Sequence, residues 1–473
     1  MVDSQTLSFT VDTELTPAYY KNLLTFIDQN YLQKDKSFHD GKIFEREGEN
    51  VLTFVFVDKD SKWFINVELV PRSPIHVKMS WDQPVPNGIL DRLKEDLFIN
   101  VQIFEEKVRR ATLYFTWIEG QEIILEKLSS GKHKLIYRLF SESMLLFYVV
   151  FIVASLFLFF IFGPYTPILL VVFQFFLVLF SGKIIGSTGD WQITERNPYV
   201  HILQFQLPIE DQKSFRQKFG QDILVKIKKE IYDRTLAIGK ALDCDIAGQV
   251  LSKYELKCTP EEVSTKVVNV YEIVKKGVEK FNLKVPKIVI SNTTIPNAAA
   301  SGPGPRFGVM VITTGLLTQL DDDEILGVVG HELSHMKGRD TLAFFGLMSA
   351  EYILRVYLLW PLLMFLGLFY LFFAFTIVYF IAKFFESKAD LESAIRIGQP
   401  KILAEALRKI GFVRLIYERT PSYRFQEWLG FDPHPPIYFR VSRLEQLKEP
   451  EKLKHPLIES IKDNIKAFFS SFK

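Results

Sequence analysis

The pattern of hydrophobic and polar residues changes character several times along the chain. Residues 1 to about 138 have the patterns of a soluble protein. The segments NVLTFVFVD and KWFINVELV alternate as β-strands do, and NGILDRLKEDLF has the spacing of an amphipathic helix. This part is therefore predicted to be a soluble α+β domain, and nothing in it resembles a catalytic motif.

Long apolar segments follow in two blocks. The first block contains residues 143–162 and 165–185, which are separated by a break at Gly163–Pro164. Each segment is long enough to cross a hydrocarbon layer of about 30 Å as a helix. Two buried core helices, the alternative, would need a far larger soluble shell than this chain offers. The second block runs from about 342 to 385 and breaks near Trp360–Pro361. About four transmembrane helices are therefore predicted.

Basic residues flank both apolar blocks. They are Lys132, Lys134 and Arg138 before the first block, Lys183 at its end, Lys337 and Arg339 before the second block, and Lys383 and Lys388 at its far end. By the positive-inside rule, all these flanks lie in the cytoplasm. The first residues, MVDSQTLSFTVDTEL, lack the basic and apolar regions of a signal peptide, so no cleaved signal is expected.

The second apolar block contains two charged residues, Glu351 and Arg355, which lie four positions apart on one helix face. Ionisable residues at membrane depth usually face a partner or a wet cavity. A self-neutralising pair is the simpler interpretation, and a role in substrate handling stays open.

The remaining segments are again soluble in character. Residues 261–283 are predicted to be an amphipathic helix, and residues 284–291 and 306–317 to be strands. The segment LDDDEILGVVGHELSHM opens a helix, because its aspartates suit the positive N-terminal end. A soluble helical segment follows residue 386.

The C-terminal tail carries an apolar stripe at helical spacing. Its members are Leu457, Ile458, Ile461, Ile465, Phe468, Phe469 and Phe472. The stripe predicts a helix that either packs on the domain or lies on the membrane surface.

Charge and cysteine content exclude some classes of protein. A net charge of +2 with 24% charged residues gives no field that favours nucleic acid. Two cysteines, Cys244 and Cys258, are too few for a disulfide scaffold, and reduced thiols in or near a core are expected.

The segment HELSH supplies the candidate chemistry. His331 and His335 are one helical turn apart, so both imidazoles can bind one zinc ion, and Glu332 can take a proton from a water on that zinc. Zinc lowers the pKa of such a water to about 7. A surface helix that merely contains these residues is the alternative. Among the acidic residues and histidines that could be the third ligand, Glu386 stands where the chain leaves the last apolar segment, so a membrane hairpin would return it to the level of His335.

These residues resemble integral-membrane zinc metallopeptidases of the HtpX type, which are relatives of the CAAX prenyl endoprotease. The resemblance covers roughly residues 260 to 445. It implies that His331 and His335 are zinc ligands and Glu332 the general base. The segment PNAAASG is similar to a family element in which Asn297 would contact the substrate backbone, and GVMVITTGLL resembles the strand edge along which substrate lies.

Two further elements extend the resemblance. The segment ESKAD matches an E-x-x-x-D pattern, which implies that Glu386 is the third ligand and Asp390 an orienting carboxylate. The segment HPPIYFRVSRL resembles an H-P-P-x-x-x-R element, which makes His434 and Arg440 site-supporting residues. Taken alone, His434 has a structural role as its simpler interpretation. The resemblance adds oxyanion stabilisation as an alternative.

The expected architecture is a mainly α membrane protein with a cytoplasmic, zincin-like α+β peptidase domain and an N-terminal α+β domain. Its predicted parts are the N-terminal domain (1–138), a transmembrane hairpin (139–186), the first part of the peptidase domain with the zinc helix (187–340), a second hairpin (341–385), and the second part of the peptidase domain with the amphipathic tail (386–473). The N-terminal domain is outside the minimal family pattern, and an adaptor or substrate-recognition role is expected for it.

The expected function is zinc-dependent hydrolysis of misfolded or damaged membrane proteins, with one zinc ion per chain. The expected location is the cell membrane, with several crossings and the active site on the cytoplasmic side. The partners are unfolded or membrane polypeptides and the lipid bilayer, without nucleic acid. One alternative is a CAAX prenyl-protein endoprotease, although that branch has about seven spans. Another is a non-catalytic zinc-bound scaffold, although structural zinc usually has four protein ligands.

Overall fold

The computed structural model describes residues 5–58, 62–121, 123, 145–187, 189–207, 221–254, 256 and 262–471. The predicted flanking residues Lys132, Lys134 and Arg138 lie outside this range. Cys258, the boundary at residue 138 and Phe472 of the predicted C-terminal stripe also lie outside it.

Helices predominate over strands in the described residues. The strands are β1 (Gln5–Val11), β2 (Phe38–Arg46), β3 (Glu49–Val57), β4 (Phe64–Val70), β5 (Ile75–Trp81), β6 (Thr112–Ile118), β7 (Trp191–Ile193), β8 (Tyr199–Gln206), β9 (Val263–Asn269), β10 (Lys287–Ser291), β11 (Ala298–Ser301) and β12 (Val309–Thr313). The helices are α1 (Tyr20–Asn30), α2 (Asn87–Ala111), α3 (Leu145–Phe162), α4 (Thr166–Gly186), α5 (Gln221–Arg234), α6 (Cys244–Ser252), α7 (Val270–Phe281), α8 (Thr314–Gln319), α9 (Asp322–Gly338), α10 (Asp340–Tyr357), α11 (Trp360–Leu366), α12 (Leu368–Ile397), α13 (Pro400–Glu418), α14 (Pro421–Leu429), α15 (Ile437–Gln446) and α16 (Pro456–Ser470).

The described residues form two compact units. The first unit combines those of Met1–Trp117 with those of His201–Lys266, and the second combines Ile118–Val200 with Val267–Lys473. The described residues within 201–266, a range predicted to belong to the peptidase part, therefore pack with the N-terminal part. The functional domain organisation stays a prediction.

The first unit is built on a five-stranded antiparallel sheet of order β1-β5-β4-β3-β2. Its inward residues, such as Ile65, Val67 and Leu69, share one core with helices α1 and α2. Residues between them, such as Asn66 and Glu68, point away from that core, as a period of two requires. The predicted strands and helix of this region are confirmed as β3, β4 and α2. A three-stranded sheet, β6-β8-β9, lies mostly in this unit.

One predicted helix, residues 261–283, is wrong in its first half. Residues Val263–Asn269 form β9, and the helix α7 begins only at Val270. The segment VSTKVVN is rich in β-branched residues, which favour strands. Asn269 then caps α7, because its side chain accepts a hydrogen bond from the Glu272 backbone N–H.

The second unit contains a four-stranded sheet of order β11-β12-β10-β7. β12 pairs in parallel with β10 on one side and antiparallel with β11 on the other. The prediction that GVMVITTGLL forms a sheet edge is therefore wrong: β12 is internal, and β11 is the edge strand. The predicted strand is also too long. It ends at Thr313, whose side chain accepts from the Leu316 backbone N–H and so caps helix α8.

The helix α9, which carries HELSH, begins as predicted. Asp321 and Glu324 form a reciprocal capping box at its start. Residues of α9 then pack against α7, α12, α13 and β11. The surrounding elements hold the HELSH turn in a buried position.

Apolar helices in the second unit satisfy the length needed for a bilayer. Among the described residues, Ser155–Gly186, which is interrupted at Gly163–Tyr165, and Leu368–Ile397 qualify by length and composition. A third candidate joins α10 to α11 through a bend of 81°. This makes two or up to three candidates, and the predicted count of four is not confirmed. The ion pair predicted within α10 is present, with Arg355 Nε 3.2 Å from Glu351 Oε1.

The second apolar block leads out and back. At 1.5 Å per residue, α10 is about 26 Å long from Asp340 to Tyr357, and α12 is about 27 Å long from Leu368 to Glu386. The Tyr357 hydroxyl donates to the Pro164 carbonyl at 2.5 Å, so the far end of α10 meets the junction of α3 and α4. Because α12 leads back over nearly the same length as α10, Glu386 lies at the level at which α10 begins.

Candidate metal centre

Helix α9 presents both candidate histidines on one face. His331 Nε2 and His335 Nε2 are 3.1 Å apart. A close approach to α12 fixes this face, because Ser393 Oγ donates to the Gly327 carbonyl at 2.8 Å. A side chain at Gly330 would not fit here, since its Cβ would lie 2.6 Å from Ser393 Oγ.

Glu386 on α12 completes a three-residue cluster. Its Oε2 lies 3.3 Å from His331 Nε2, and its Oε1 lies 3.4 Å from His335 Nε2. Two ligands bound tetrahedrally to zinc at about 2.05 Å are about 3.3 Å apart, so the donor atoms fit that ion. Glu386 Oε2 is also buried without a hydrogen-bond partner, as expected of a ligand atom. Of the residues described, only these three form such a His, Cys, Asp or Glu cluster.

Asp390 and Arg440 orient the first imidazole. Asp390 Oδ1 lies 2.9 Å from His331 Nδ1, and Arg440 donates to both Asp390 oxygens at 2.7 and 2.8 Å. A proton held on Nδ1 directs the lone pair of Nε2 toward a metal. Burial would lower the pKa of Arg440, but the Asp390 charge outweighs it and raises that pKa. This guanidinium is a fixed positive charge behind the site.

A second orienting carboxylate, Asp340, was missed by the sequence analysis. Asp340 Oδ2 lies 3.0 Å from His335 Nδ1, and Lys388 Nζ donates to both Asp340 oxygens at 2.8 and 3.0 Å. The available signal was the position of Asp340, five residues after His335, where α9 ends at the left-handed residue Arg339. Lys388 had been considered only as a basic flank.

The carboxylates around the two histidines affect their acidity. Burial would lower the pKa of each imidazole, but the carboxylate partners outweigh it. The pKa of His331 is raised mainly by its hydrogen bond to Asp390, and that of His335 mainly by the charge of Glu386. The cluster is therefore an environment that stabilises positive charge.

Glu332 lies beside the cluster and contacts the edge strand. Its Oε2 accepts a hydrogen bond of 2.7 Å from the Ala300 backbone N–H on β11. Asn297, just before β11, is anchored to β12 because its backbone N–H donates to Thr313 Oγ1 at 2.9 Å. Glu332 of α9 thus contacts β11 near the end of the strand, and Asn297 immediately precedes its beginning.

His434 approaches the cluster from the C-terminal part of the chain. Its Nε2 lies 3.4 Å from Glu386 Oε2, and its Nδ1 lies 2.8 Å from Asp432 Oδ1. The His434 side chain is 43% exposed, whereas those of His331, His335 and Glu386 are 9 to 16% exposed. It therefore stands at the accessible side of the cluster.

Comparisons with known proteins agree with this arrangement. The model of the peptidase family M48 matches residues 265–448, which include every site residue named above. A Protease HtpX homolog of Methanopyrus kandleri is 35% identical over 225 residues, which are 39% of this chain and 69% of the relative. The chain belongs to peptidase family M48. The resemblance to HtpX-type M48 peptidases is thereby confirmed.

Other M48 relatives match over different lengths. Protease HtpX homolog 2 of Methanosarcina acetivorans is 30% identical over 204 residues, which are 35% of this chain and 67% of the relative. A Protease HtpX homolog of Thermodesulfovibrio yellowstonii is 40% identical over 93 residues, 20% of this chain. The match covers only 32% of that relative, so the chain spans about a third of its length.

Proposed function

We propose that this protein is a membrane-embedded, zinc-dependent endopeptidase. The observation that carries the proposal is the convergence of two imidazoles and one carboxylate within 3.1 to 3.4 Å, with a further carboxylate, Glu332, beside them. Three protein ligands leave a fourth position for water or substrate, which is typical of catalytic zinc. The proposed stoichiometry is one zinc ion per chain, held by His331, His335 and Glu386.

The proposed chemistry assigns a separate task to each residue. Bound zinc would supply Lewis-acid polarisation of the scissile carbonyl and of the attacking water. Glu332 accepts the proton that this water loses and delivers it to the leaving amine. The Ala300 N–H orients the Glu332 carboxylate for this task. Asp390, supported by Arg440, holds His331 in its binding tautomer.

Substrate binding is proposed at the edge strand β11. The Ala300 N–H points away from β12 toward Glu332, and the N–H and C=O of one strand residue face the same side. The open edge of β11 therefore faces the Glu332 carboxylate. An extended peptide added to this edge would pass beside the general base. Asn297, at the start of the strand, is proposed to contact the substrate backbone, and His434 to stabilise the oxyanion.

The proposed setting is a multi-pass protein of the cell membrane with about four crossings and its active site on the cytoplasmic side. The apolar helices support the bilayer part, and the basic flanks support the orientation. The proposed substrates are misfolded or damaged membrane proteins and unfolded polypeptides. Their unfolded segments can adopt the extended conformation that edge binding requires.

The test is Glu332→Ala in the purified full-length protein. Hydrolysis of an unfolded reporter polypeptide should disappear, while bound zinc stays near one per chain, because Glu332 is not a ligand. Asp323→Asn is the matched control, since this carboxylate is exposed on the same helix. A mutant that still cleaves contradicts the mechanism.

The same preparation separates the alternatives. A prenylated C-terminal peptide that is cleaved in preference to unfolded protein would identify a prenyl-protein endoprotease. Absence of any hydrolysis in the zinc-loaded wild type would favour a zinc-bound scaffold.

A further inference from the structure

The turn after helix α14 lies alongside the apolar part of α12. Thr376 Oγ1 on α12 donates to the Leu429 carbonyl at 3.4 Å. Lys383 Nζ, two turns further along α12, donates to the carbonyls of Gly430 at 3.1 Å and Asp432 at 2.5 Å. These bonds fix the level of residues 428–432 relative to α12. This region was predicted to be part of a soluble segment.

The Leu429 end of this turn is far from the metal centre along the helix axis, whereas Asp432 leads back to His434 beside it. Thr376 precedes Glu386 by ten residues, which corresponds to about 15 Å. Since Leu368 and Glu386 are about 27 Å apart along α12 and a hydrocarbon layer is about 30 Å thick, Thr376 lies near the middle of a crossing. Leu429 is therefore held near mid-membrane depth.

The side chain of Phe431, within this turn, packs against the apolar part of α12. Its ring contacts three aromatic rings of α12, with centroid distances of 5.9, 6.2 and 5.9 Å to Phe372, Phe375 and Tyr379. The Phe431 side chain is nevertheless 51% exposed. Phe372, one of the rings that it contacts, is itself 46% exposed, and Phe373, which contacts Phe372, is 58% exposed.

The charged groups at this turn are paired with one another, although the Asp432 side chain is 42% exposed. Arg414 on α13 forms ion pairs with Glu427 and with Asp432, the latter at 3.1 Å. Lys383 is fully buried among the carbonyls described above. Glu418 also lies 4.0 Å from Arg414, and His434 contacts Asp432 at 2.8 Å, so each charge at the turn faces a partner, which reduces its cost at membrane depth. The charges therefore do not oppose contact of Phe431 with lipid.

The end of helix α16 adds a second apolar element on the same span. Arg443 donates to the Ser387 carbonyl and to Ser460 Oγ, which ties the first half of α16 to the level of the metal centre. Phe468 then packs on Phe380, with ring centroids 5.3 Å apart. Helix α16 thus runs back along α12 in the direction of the membrane. The described part of the tail therefore packs on α12, which is the first of the two predicted arrangements.

Phe469, near the end of α16, is an exposed apolar residue. Phe469, next to Phe468, is 63% exposed. Phe380 precedes Glu386 by six residues, so Phe469 lies about 9 Å below the metal centre. Lys466, one turn earlier, is exposed and long enough to extend toward the polar surface.

We propose that residues 428–431 and 468–471, together the apolar wedge, are inserted among the acyl chains of the leaflet next to the metal centre. The wedge would not span the bilayer but would enlarge the lipid-facing surface of α12. The exposed apolar surface of the wedge continues the exposed apolar surface of α12. Because α12 is proposed to face lipid, lipid is the proposed partner of the wedge as well. The proposal rests on the proposed membrane setting of α12.

The test measures the depth of a nitroxide spin label at position 431. Phe431→Cys is made in full-length protein with Cys244→Ser and Cys258→Ser, labelled, and reconstituted in vesicles of phosphatidylcholine and phosphatidylglycerol. Electron paramagnetic resonance power saturation compares how often the nitroxide collides with molecular oxygen, which concentrates among acyl chains, and with a water-soluble nickel chelate. Phe373→Cys is the lipid-facing control, and Phe44→Cys, on the first unit and 41% exposed, is the water-facing control.

The expected result is that the label at position 431 collides more with oxygen than with the nickel chelate, as the label at position 373 does. A 431 label that favours the nickel chelate, as the 44 label does, overturns the wedge while the 373 label still supports the membrane setting of α12. Protection from both reagents, the result for a second protein or a second copy covering the turn, also overturns it. If the 373 label itself is in water, both the wedge and the membrane setting are wrong. Phe469→Cys provides a second label position should the 431 variant fold poorly.

Discussion

The most informative substitution outside the proposed ligands is Asp340→Asn. This change keeps the size of the side chain but removes the charge that faces His335 and Lys388. It has two separable consequences, one for zinc binding and one for folding. The two arise from different partners of the same carboxylate.

The magnitude of each consequence follows from the contacts. Loss of a carboxylate that orients a metal-binding histidine typically lowers metal affinity by roughly 10- to 100-fold. This corresponds to about 1.4 to 2.8 kcal/mol. Lys388, which is 8% exposed, would also lose its counter-ion. A buried charge left without its partner destabilises a protein by about 3 to 5 kcal/mol.

The assay uses a double variant to separate the two effects. Zinc affinity is measured by competition with a chelator, and stability by thermal unfolding of the zinc-free protein. Asp340→Asn should lower both the zinc affinity and the stability of the zinc-free protein. Asp340→Asn combined with Lys388→Met should recover most of the stability, because the unpaired charge is gone, but should keep the weakened zinc affinity. Unchanged zinc affinity in both variants would refute the orienting role of Asp340, and failure of the double variant to recover stability would refute the unpaired-charge argument.

Two other substitutions test packing and titration. Burial, assisted by the charge of Glu14, raises the pKa of Glu105 from 4.5 to about 7. The folded state therefore holds this proton more tightly than the unfolded state, so stability falls as pH rises from about 4.5 to 7, by up to about 3 kcal/mol. Glu105→Gln should remove this fall, measured by hydrogen exchange of α2 at pH 5 and 8; an equal pH dependence in both proteins would contradict the assignment. Gly330→Ala should destabilise the zinc-free protein by about 1 to 3 kcal/mol through overpacking against Ser393, whereas an unchanged melting temperature would show that α9 and α12 separate easily.

The parts of the site that are close in sequence were predictable from it. HELSH places two imidazoles on one helical face because its spacing matches the helical period. Glu386 was predictable because an apolar hairpin of matched lengths must return the chain to its starting level. Both inferences need only helix geometry and the thickness of a membrane.

Other parts depend on pairings that the sequence does not display. The edge strand β11 has the sequence AAAS, which carries no alternation, so β12 was mistaken for the edge. Asp340 and Lys388 lie 48 positions apart on two different helices, and no local pattern indicates that they pair. The depth of Phe431 depends on three hydrogen bonds from α12 to backbone carbonyls, and a carbonyl is present in every residue. Such contacts are set by tertiary packing and not by local pattern.

The most direct test of the central claim is X-ray absorption at the zinc edge, for the purified wild type and for Glu386→Ala. The account predicts about one zinc per wild-type chain, bound only by nitrogen and oxygen at about 2.0 to 2.1 Å with the scattering of two imidazoles. Glu386→Ala should bind zinc much more weakly and lose one oxygen ligand. Sulfur scattering at about 2.3 Å, or an identical spectrum and affinity in Glu386→Ala, would contradict the claim that His331, His335 and Glu386 hold one metal ion.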